Sequence, residues 1–185
     1  MSELRIHREY DPNNTIAWSD DPASIRALLA DAGVRFETWR TDAKLPAAPT
    51  QDEVLAAYRA DIDRLMAEGG YTTADVVSMV PDHPDRATMR TKFLEEHTHS
   101  EDEVRFFVAG QGLFTLHIGH KVYELLCTKG DLIGVPDGTR HWFDMGPAPH
   151  FVAIRLFTNP AGWVAEMTGS DIARRFSRLD AFVAA

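Results

Sequence analysis

The chain is poor in the features that mark several large classes of protein. It holds one cysteine, Cys127, among 185 residues, so no internal disulfide can form, as expected of a protein kept in a reducing cytoplasm. No apolar run is long enough to span a bilayer, and the opening stretch MSELRIHREYDPNNT lacks the apolar core of a secretory signal. Basic residues are scarce: 19 Lys and Arg face 28 Asp and Glu, leaving a formal charge of −9. A surface of that sign repels phosphates, which argues against a general nucleic-acid or anionic-membrane binder. A small anionic substrate is still admitted, because a few cations in a pocket outweigh distant net charge. Internal repeats, low-complexity tracts and linkers between folding units are absent as well. What is present, 44% hydrophobic and 25% charged residues, is ordinary for a globular chain. At this length one domain buries about 70% of its unfolded surface. The expectation is a single cytoplasmic domain, with a monomer as the simplest state.

The first part of the chain mixes helices with a few strands. Asp21-Pro22 reads as a cap followed by proline at the first helical position, Ile25, Leu28 and Leu29 recur at helical spacing, and Gly33 ends the run. Val34 to Thr41 alternates as a strand does, with Phe36 and Trp39 as anchors. After KLPAAP, Thr50 and Glu53 have capping-box spacing, and Leu55, Tyr58, Ile62 and Leu65/Met66 form an apolar stripe that Gly69-Gly70 stops. From about Tyr71 the pattern changes to short β-branched and aromatic segments between Gly, Pro and Asp turns: DVVSMV, RTKFLEEHTH, VRFFVAG, GLFTLHIG, KVYELLC, DLIGVP, RHWFDM and HFVAIRLF. Many short strands without intervening helices predict an antiparallel sandwich or barrel. Ser170 to Leu179 reads as a short helix. The organisation expected is a mixed helical N-terminal layer over 1–75, a β-barrel core over 76–160 and a C-terminal loop with a short helix over 161–185.

Side chains alternate across a strand, so His97 and His99 of HTHSEDE project to one face, with Phe93 and Glu95 in the same parity. Glu103 opens the next apolar strand after a short turn, and Arg105 and Phe107 share its face. Two imidazoles, a carboxylate and a guanidinium buried together without partners cost several kcal/mol; a divalent cation makes the arrangement sensible. In GDLIGVPDGTRHW the turn residues Gly130, Pro136 and Gly138 return the chain to His141. Three imidazoles with one carboxylate suit iron, nickel, manganese or zinc, and four ligands around an octahedral ion leave two positions open, as in a catalytic site.

These residues carry a resemblance. HTHSEDEVRFFVAG fits the first motif of the cupins, H-x-H-x(3)-E-x(6)-G, and GDLIGVPDGTRH fits the second, G-x(5)-P-x-G-x(2)-H. Thr91 stands where the first motif often has glycine and Met145 where the second often has asparagine, both outside the ligand set. The longer stretches KFLEEHTHSEDEVRFFVAGQGLF, GDLIGVPDGTRHWFDMG and FVAIRLFTNPAGW resemble the acireductone dioxygenase family, and the likeness spans most of the chain. It implies a mainly β fold, a cupin double-stranded β-helix (jelly-roll barrel) with additional N-terminal helices packed outside. It implies one Fe2+ or Ni2+ per chain, held by His97, His99, Glu103 and His141. Arg105 and Arg155 are implied as positive groups near an acireductone substrate that reacts with O2, and Phe93, Phe143 and Trp163 as walls of its pocket. Parity agrees in part: Arg105 shares the face of Glu103, and Phe143 that of His141. An inward Arg155 in HFVAIRLF requires an anion beside it. In the family iron yields formate and 4-methylthio-2-oxobutanoate, whereas nickel yields formate, carbon monoxide and 3-methylthiopropanoate.

Two other readings fit the same motifs: a different metal-dependent cupin enzyme, such as a sugar-phosphate isomerase, and a non-catalytic cupin ligand-binding module. The remaining histidines draw less interest. His117 and His120 lie opposite the apolar face formed by Phe114, Leu116 and Ile118, which predicts exposure to solvent; His83, His150 and His7 have no ligand-like neighbours. Cys127 reads as a small buried hydrophobe. Glu95, Glu96, Glu101 and Asp102 have no role assigned by spacing.

Overall fold

The computed structural model describes residues 1–159 and 164–184. The chain opens with two strands, β1 (Glu3–Arg8) and β2 (Asp11–Ser19), followed by α1 (Pro22–Ala30) and β3 (Arg35–Thr38). Helices α2 (Gln51–Ala57) and α3 (Arg59–Gly69) lead to β4 (Thr73–Met79) and α4 (Arg86–Phe93). Then come β5 (His97–Thr98), β6 (Glu103–Ile118), β7 (Lys121–Thr128), β8 (Asp131–Val135), β9 (Arg140–Asp144), β10 (Phe151–Phe157) and β11 (Glu166–Met167). A 3-10 turn at Ile172–Arg174 and α5 (Leu179–Ala184) finish the described chain. No helix is long and apolar enough to cross a membrane among the described residues.

The barrel is organised around β6. Its first half pairs with β8 and β10, and its second half with β7 and β9, all antiparallel. One sheet therefore runs β11-β5-β9-β6-β7-β1-β2, while β3-β8-β6-β10-β4 forms the other. The strand passes between sheets at Gly110, which adopts φ 72° beside a register shift in β10. A side chain is excluded there, because a Cβ would lie 1.8 Å from the backbone oxygen of His150. The bend also switches which residues face inward. Phe107 lies inside before it and Phe114 and Leu116 after it, so odd positions give way to even ones. The residues expected to form two strands, VRFFVAG and GLFTLHIG, are thus one strand with an irregularity that reverses its pleat.

Between the sheets lies the main core, including Phe107, Phe114, Ile133, Phe143 and Phe151. The outward residues of the first half, Val104, Phe106 and Val108, are covered by Val54, Tyr58, Ile62 and Leu65 of the helical pair. The capping box forms as spaced: Glu53 N–H donates to Thr50 Oγ1, and Thr50 N–H donates to the Glu53 carboxylate. The stripe is divided between two helices, however, because Tyr58 leaves helical geometry and sets its ring edge-on against Phe106. Asp21 caps α1 through Ser24 N–H, and Phe36 is buried as expected.

Three further expectations need revision. The N-terminus is not purely an outer layer, since β1 pairs along β7 and extends the barrel sheet. The segment RTKFLEEHTH is no strand over its first residues: Arg90, Lys92 and Phe93 belong to α4, which docks through two hydrogen bonds from Arg90 to Asp144, 2.7 and 2.9 Å. At the C-terminus, the helix expected over 170–179 is replaced by the 3-10 turn and α5. Ile172, Phe176, Leu179 and Phe182 of this segment bury the outer face of the β6-β7-β9 sheet.

Candidate metal centre

The short strand β5 lies beside β9 through the pair His97 and His141, and β9 pairs His141 with Leu116 of β6. Three imidazoles meet as a result. Their ring centroids lie 4.5 to 5.2 Å apart, and one ring nitrogen from each lies within 4.8 Å of the others. All three are buried, as is Glu103, which is 2% exposed. Glu103 Oε2 approaches His141 Nε2 at 3.0 Å and His99 Nε2 at 3.1 Å. Its other oxygen lies 2.7 Å from Arg105 Nε.

The outer nitrogens set the tautomers. His97 Nδ1 is 2.7 Å from the carbonyl of Glu95, His141 Nδ1 is 2.7 Å from that of Thr139, and His99 Nδ1 is 3.3 Å from that of Val164. A carbonyl only accepts, so Nδ1 carries the proton and the Nε2 lone pair points inward. Lone pairs on His99 and His141 then face a carboxylate oxygen at about 3 Å, acceptor against acceptor, an arrangement that a shared cation resolves. Burial, reinforced by the neighbouring His141, pushes the His97 imidazole down to about 4, so it is neutral and able to ligate at physiological pH. Burial pushes the Glu103 carboxyl up, but its neighbours, the Arg105 guanidinium foremost, hold it well below the usual carboxylate range. Burial lowers the Arg105 guanidinium against the opposing pull of Glu103. Three imidazoles with one carboxylate fit a divalent first-row cation.

The other expected site residues are placed unevenly. The Arg105 guanidinium lies over Phe143 at 4.9 Å, Phe114 at 5.3 Å and Phe93 at 5.8 Å from the ring centroids. Phe93 reaches this cluster from the end of α4, not from a strand shared with His97, so strand parity does not relate the two. Phe143 is fully buried inside the barrel. Arg155 stands opposite Arg105 across β10 and β6, on the same sheet face. Its anion is Asp75 of β4, which accepts from Nε at 2.8 Å and from Nη2 at 2.5 Å. Nothing in the spacing of DVVSMV pointed to Asp75. Trp163 lies outside the described residues.

The acidic neighbours now separate. Glu95 accepts from Arg174 at the surface, Glu101 from Thr158 and the Asn159 N–H, and Asp102 from the Asp137 N–H. Glu96 instead is buried against His117, 2.6 Å from its Nδ1. His117 is thus buried, contrary to the expectation of exposure, because the outer face of its strand is covered. His120 is exposed as expected.

A jelly-roll barrel with three histidines gathered inside it is the architecture of a metal-site cupin. Residues 3–165 match the model of the ARD/ARD′ family. An acireductone dioxygenase of Alcanivorax borkumensis is 62% identical over 178 residues, spanning 96% of this chain and 98% of that protein. One from Pseudomonas aeruginosa strain PAO1 is 56% identical over 180 residues, spanning 97% and 99%. The solved acireductone dioxygenase of Bacillus anthracis, with a cadmium ion in its active centre, superposes with a TM-score of 0.81 at 29% identity, covering 90% of this chain and 98% of that one. The chain belongs to the ARD/ARD′ family of acireductone dioxygenases.

Proposed function

We propose that this protein is a metal-dependent acireductone dioxygenase of methionine salvage, cleaving 1,2-dihydroxy-5-(methylthio)pent-1-en-3-one with O2. His97, His99, Glu103 and His141 hold one Fe2+ or Ni2+. With iron the products are formate and 4-methylthio-2-oxobutanoate; with nickel they are formate, carbon monoxide and 3-methylthiopropanoate. The observation that carries the reading is the convergence of three inward Nε2 atoms beside buried Glu103, within a chain of this family. The protein acts as a single cytoplasmic cupin-type domain, a monomer, on a small molecule.

The bound ion supplies Lewis acidity toward the enediol oxygens of the substrate and access to O2. The protein's own groups supply the rest. Arg105 is fixed by Glu103 and by the aromatic faces around it, so its positive charge is oriented before the anionic substrate arrives. Phe143 and Phe93 exclude water around that charge, which strengthens its attraction for an enediolate. Arg155, held by Asp75, adds a second cation on the same face. Trp163 is assigned to pack the thioether tail.

The test is to strip the protein, load it separately with Fe2+ and Ni2+, and follow O2 uptake and carbon monoxide with acireductone. Carbon monoxide from the nickel form alone is expected. A fully loaded protein that consumes no O2 with this substrate overturns the proposal.

A further inference from the structure

His97 opens a strand too short to hold itself, and His99 follows directly after it. Strand β5 has two residues, joined to β9 through a single pair and to β11 through two, Thr98 with Glu166 and His97 with Met167. Both β11 side chains are exposed, Met167 by 54%, so apolar burial does not anchor that flank. Yet this flank bears directly on the histidines, since Val164, just before β11, offers its carbonyl to His99 Nδ1.

A polar anchor stands at the end of β11. Thr168 donates its N–H to the carbonyl of Glu96 at 3.1 Å and its hydroxyl to Glu96 Oε2 at 2.6 Å. The other carboxylate oxygen of Glu96 lies 2.6 Å from His117 Nδ1, and His117 Nε2 lies 2.9 Å from Glu9 Oε2. Glu9 in turn receives His120 Nδ1 and donates its own N–H to the His120 carbonyl. The Glu96 side chain is therefore gripped at both oxygens, from β11 on one side and the rigid β6 on the other. Its neighbour in the chain is His97.

We propose that Glu96, Thr168 and His117 form a clasp that positions His97 and His99 by locking residues 166–168 against the 96–99 segment that carries them. These are positioning residues, acting through the backbone of β5 and not touching substrate. The inference rests on the reading of His97 and His99 as metal ligands. Partners behind metal-binding histidines commonly govern affinity by 10- to 100-fold, and here the partner is a strand, itself held by a buried carboxylate.

Thr168→Val tests the clasp because Thr168 is itself exposed and valine keeps its shape, so the change is confined to the hydroxyl from which buried Glu96 accepts. The nickel-loaded protein is mixed with excess chelator and metal release is timed. Thr168→Val is expected to release nickel about 10-fold faster, with Thr168→Ser restored to the wild-type rate and His117→Gln also quickened. Release from Thr168→Val at the wild-type rate overturns the proposal. Amide hydrogen exchange on the metal-free proteins gives a second measure: exchange in Thr168→Val should rise within residues 96–99 and 166–168 alone. An unchanged pattern, or a rise spread evenly over the barrel, also overturns it. A wild-type protein that retains no metal defeats the ligand assignment, while the exchange measurement still decides the clasp.

Discussion

Asp144→Asn is the sharpest test of how the barrel wall is secured to its outer elements. Asp144 closes β9, three residues beyond His141, and is 1% exposed. Its carboxylate accepts from Arg90 Nε at 2.7 Å, Arg90 Nη2 at 2.9 Å, Gly146 N–H at 2.8 Å and Leu179 N–H at 3.0 Å. One side chain thus ties α4, the turn after β9 and the start of α5. Asparagine preserves the shape but removes the charge and turns one acceptor into a donor, so it faces either Arg90 or a backbone N–H with the wrong group. Breaking a buried pair costs about 3–5 kcal/mol; Arg90 is 22% exposed and can turn to water, which places the expected loss near the bottom, about 3 kcal/mol. For a domain of this size that lowers the thermal midpoint by about 6–12 °C. Burial pushes the Asp144 carboxyl up, but the bonds from Arg90, Leu179 and Gly146 outweigh it and hold it below its ordinary 3.8. A depressed folded-state value contributes stability that is complete above the unfolded value and is lost as pH falls through the folded one. The gap between wild type and Asp144→Asn should therefore be full at pH 7 and close progressively below about pH 4. Urea or thermal unfolding of wild type, Asp144→Asn, Arg90→Met and the double variant, repeated across pH, measures both effects. A midpoint within about 2 °C of wild type at pH 7, or a gap independent of pH, refutes the reasoning.

Other consequences are open to direct measurement. His97→Ala or His141→Ala should lose most bound metal by elemental analysis while keeping the β-rich circular dichroism spectrum; full occupancy in either removes it from the ligand set. Arg155→Ala should retain metal but reduce kcat/KM by about 100-fold, the scale of removing one group that stabilises developing negative charge; unchanged kinetics place Arg155 outside the site. Gly110→Ala forces a Cβ to 1.8 Å from the His150 carbonyl at a φ of 72°, so a loss of about 2–5 kcal/mol by urea unfolding is expected, and an unaltered midpoint contradicts the close approach. Gly112→Ala places a Cβ 2.3 Å from Phe143 Cζ; ring displacement should raise KM while metal content stays constant, and unaltered KM indicates that Phe143 does not line the pocket.

How much was legible beforehand depended on how local the cause was. The Thr50–Glu53 box and the Asp21 cap act over three residues, and both appear where the spacing puts them. Alternation brought out the strands from Lys121 to Phe157 and the burial of Phe143. It failed where a turn of helix stood in for a strand, at Phe93, because apolar and polar residues in a short segment fit either period. Gly110 was visible only as a motif glycine, and its reversal of the pleat along β6 was not. His117 illustrates the same limit: parity correctly set it opposite Phe114 and Leu116, but parity is silent on whether that second face meets water or another segment. Ile172 to Phe182 and Glu96 supply the cover, from about 20 to 65 residues away in sequence.

The sequence by itself determined the candidate donors: histidines two apart, a carboxylate four residues after the second and a third histidine behind a glycine-proline turn. Alternation and turn chemistry are local, so these groups could be assigned to one set before any fold was known. Tertiary structure alone decided what surrounds them. Pairing of β5 with β9 brought His97 to His141, Asp75 across the sheet became the anion of Arg155, and the end of β11 closed on Glu96. Each of these depends on strand order and on which segments cover the outer faces, which are set by packing the whole chain and leave no mark in the spacing of any one stretch.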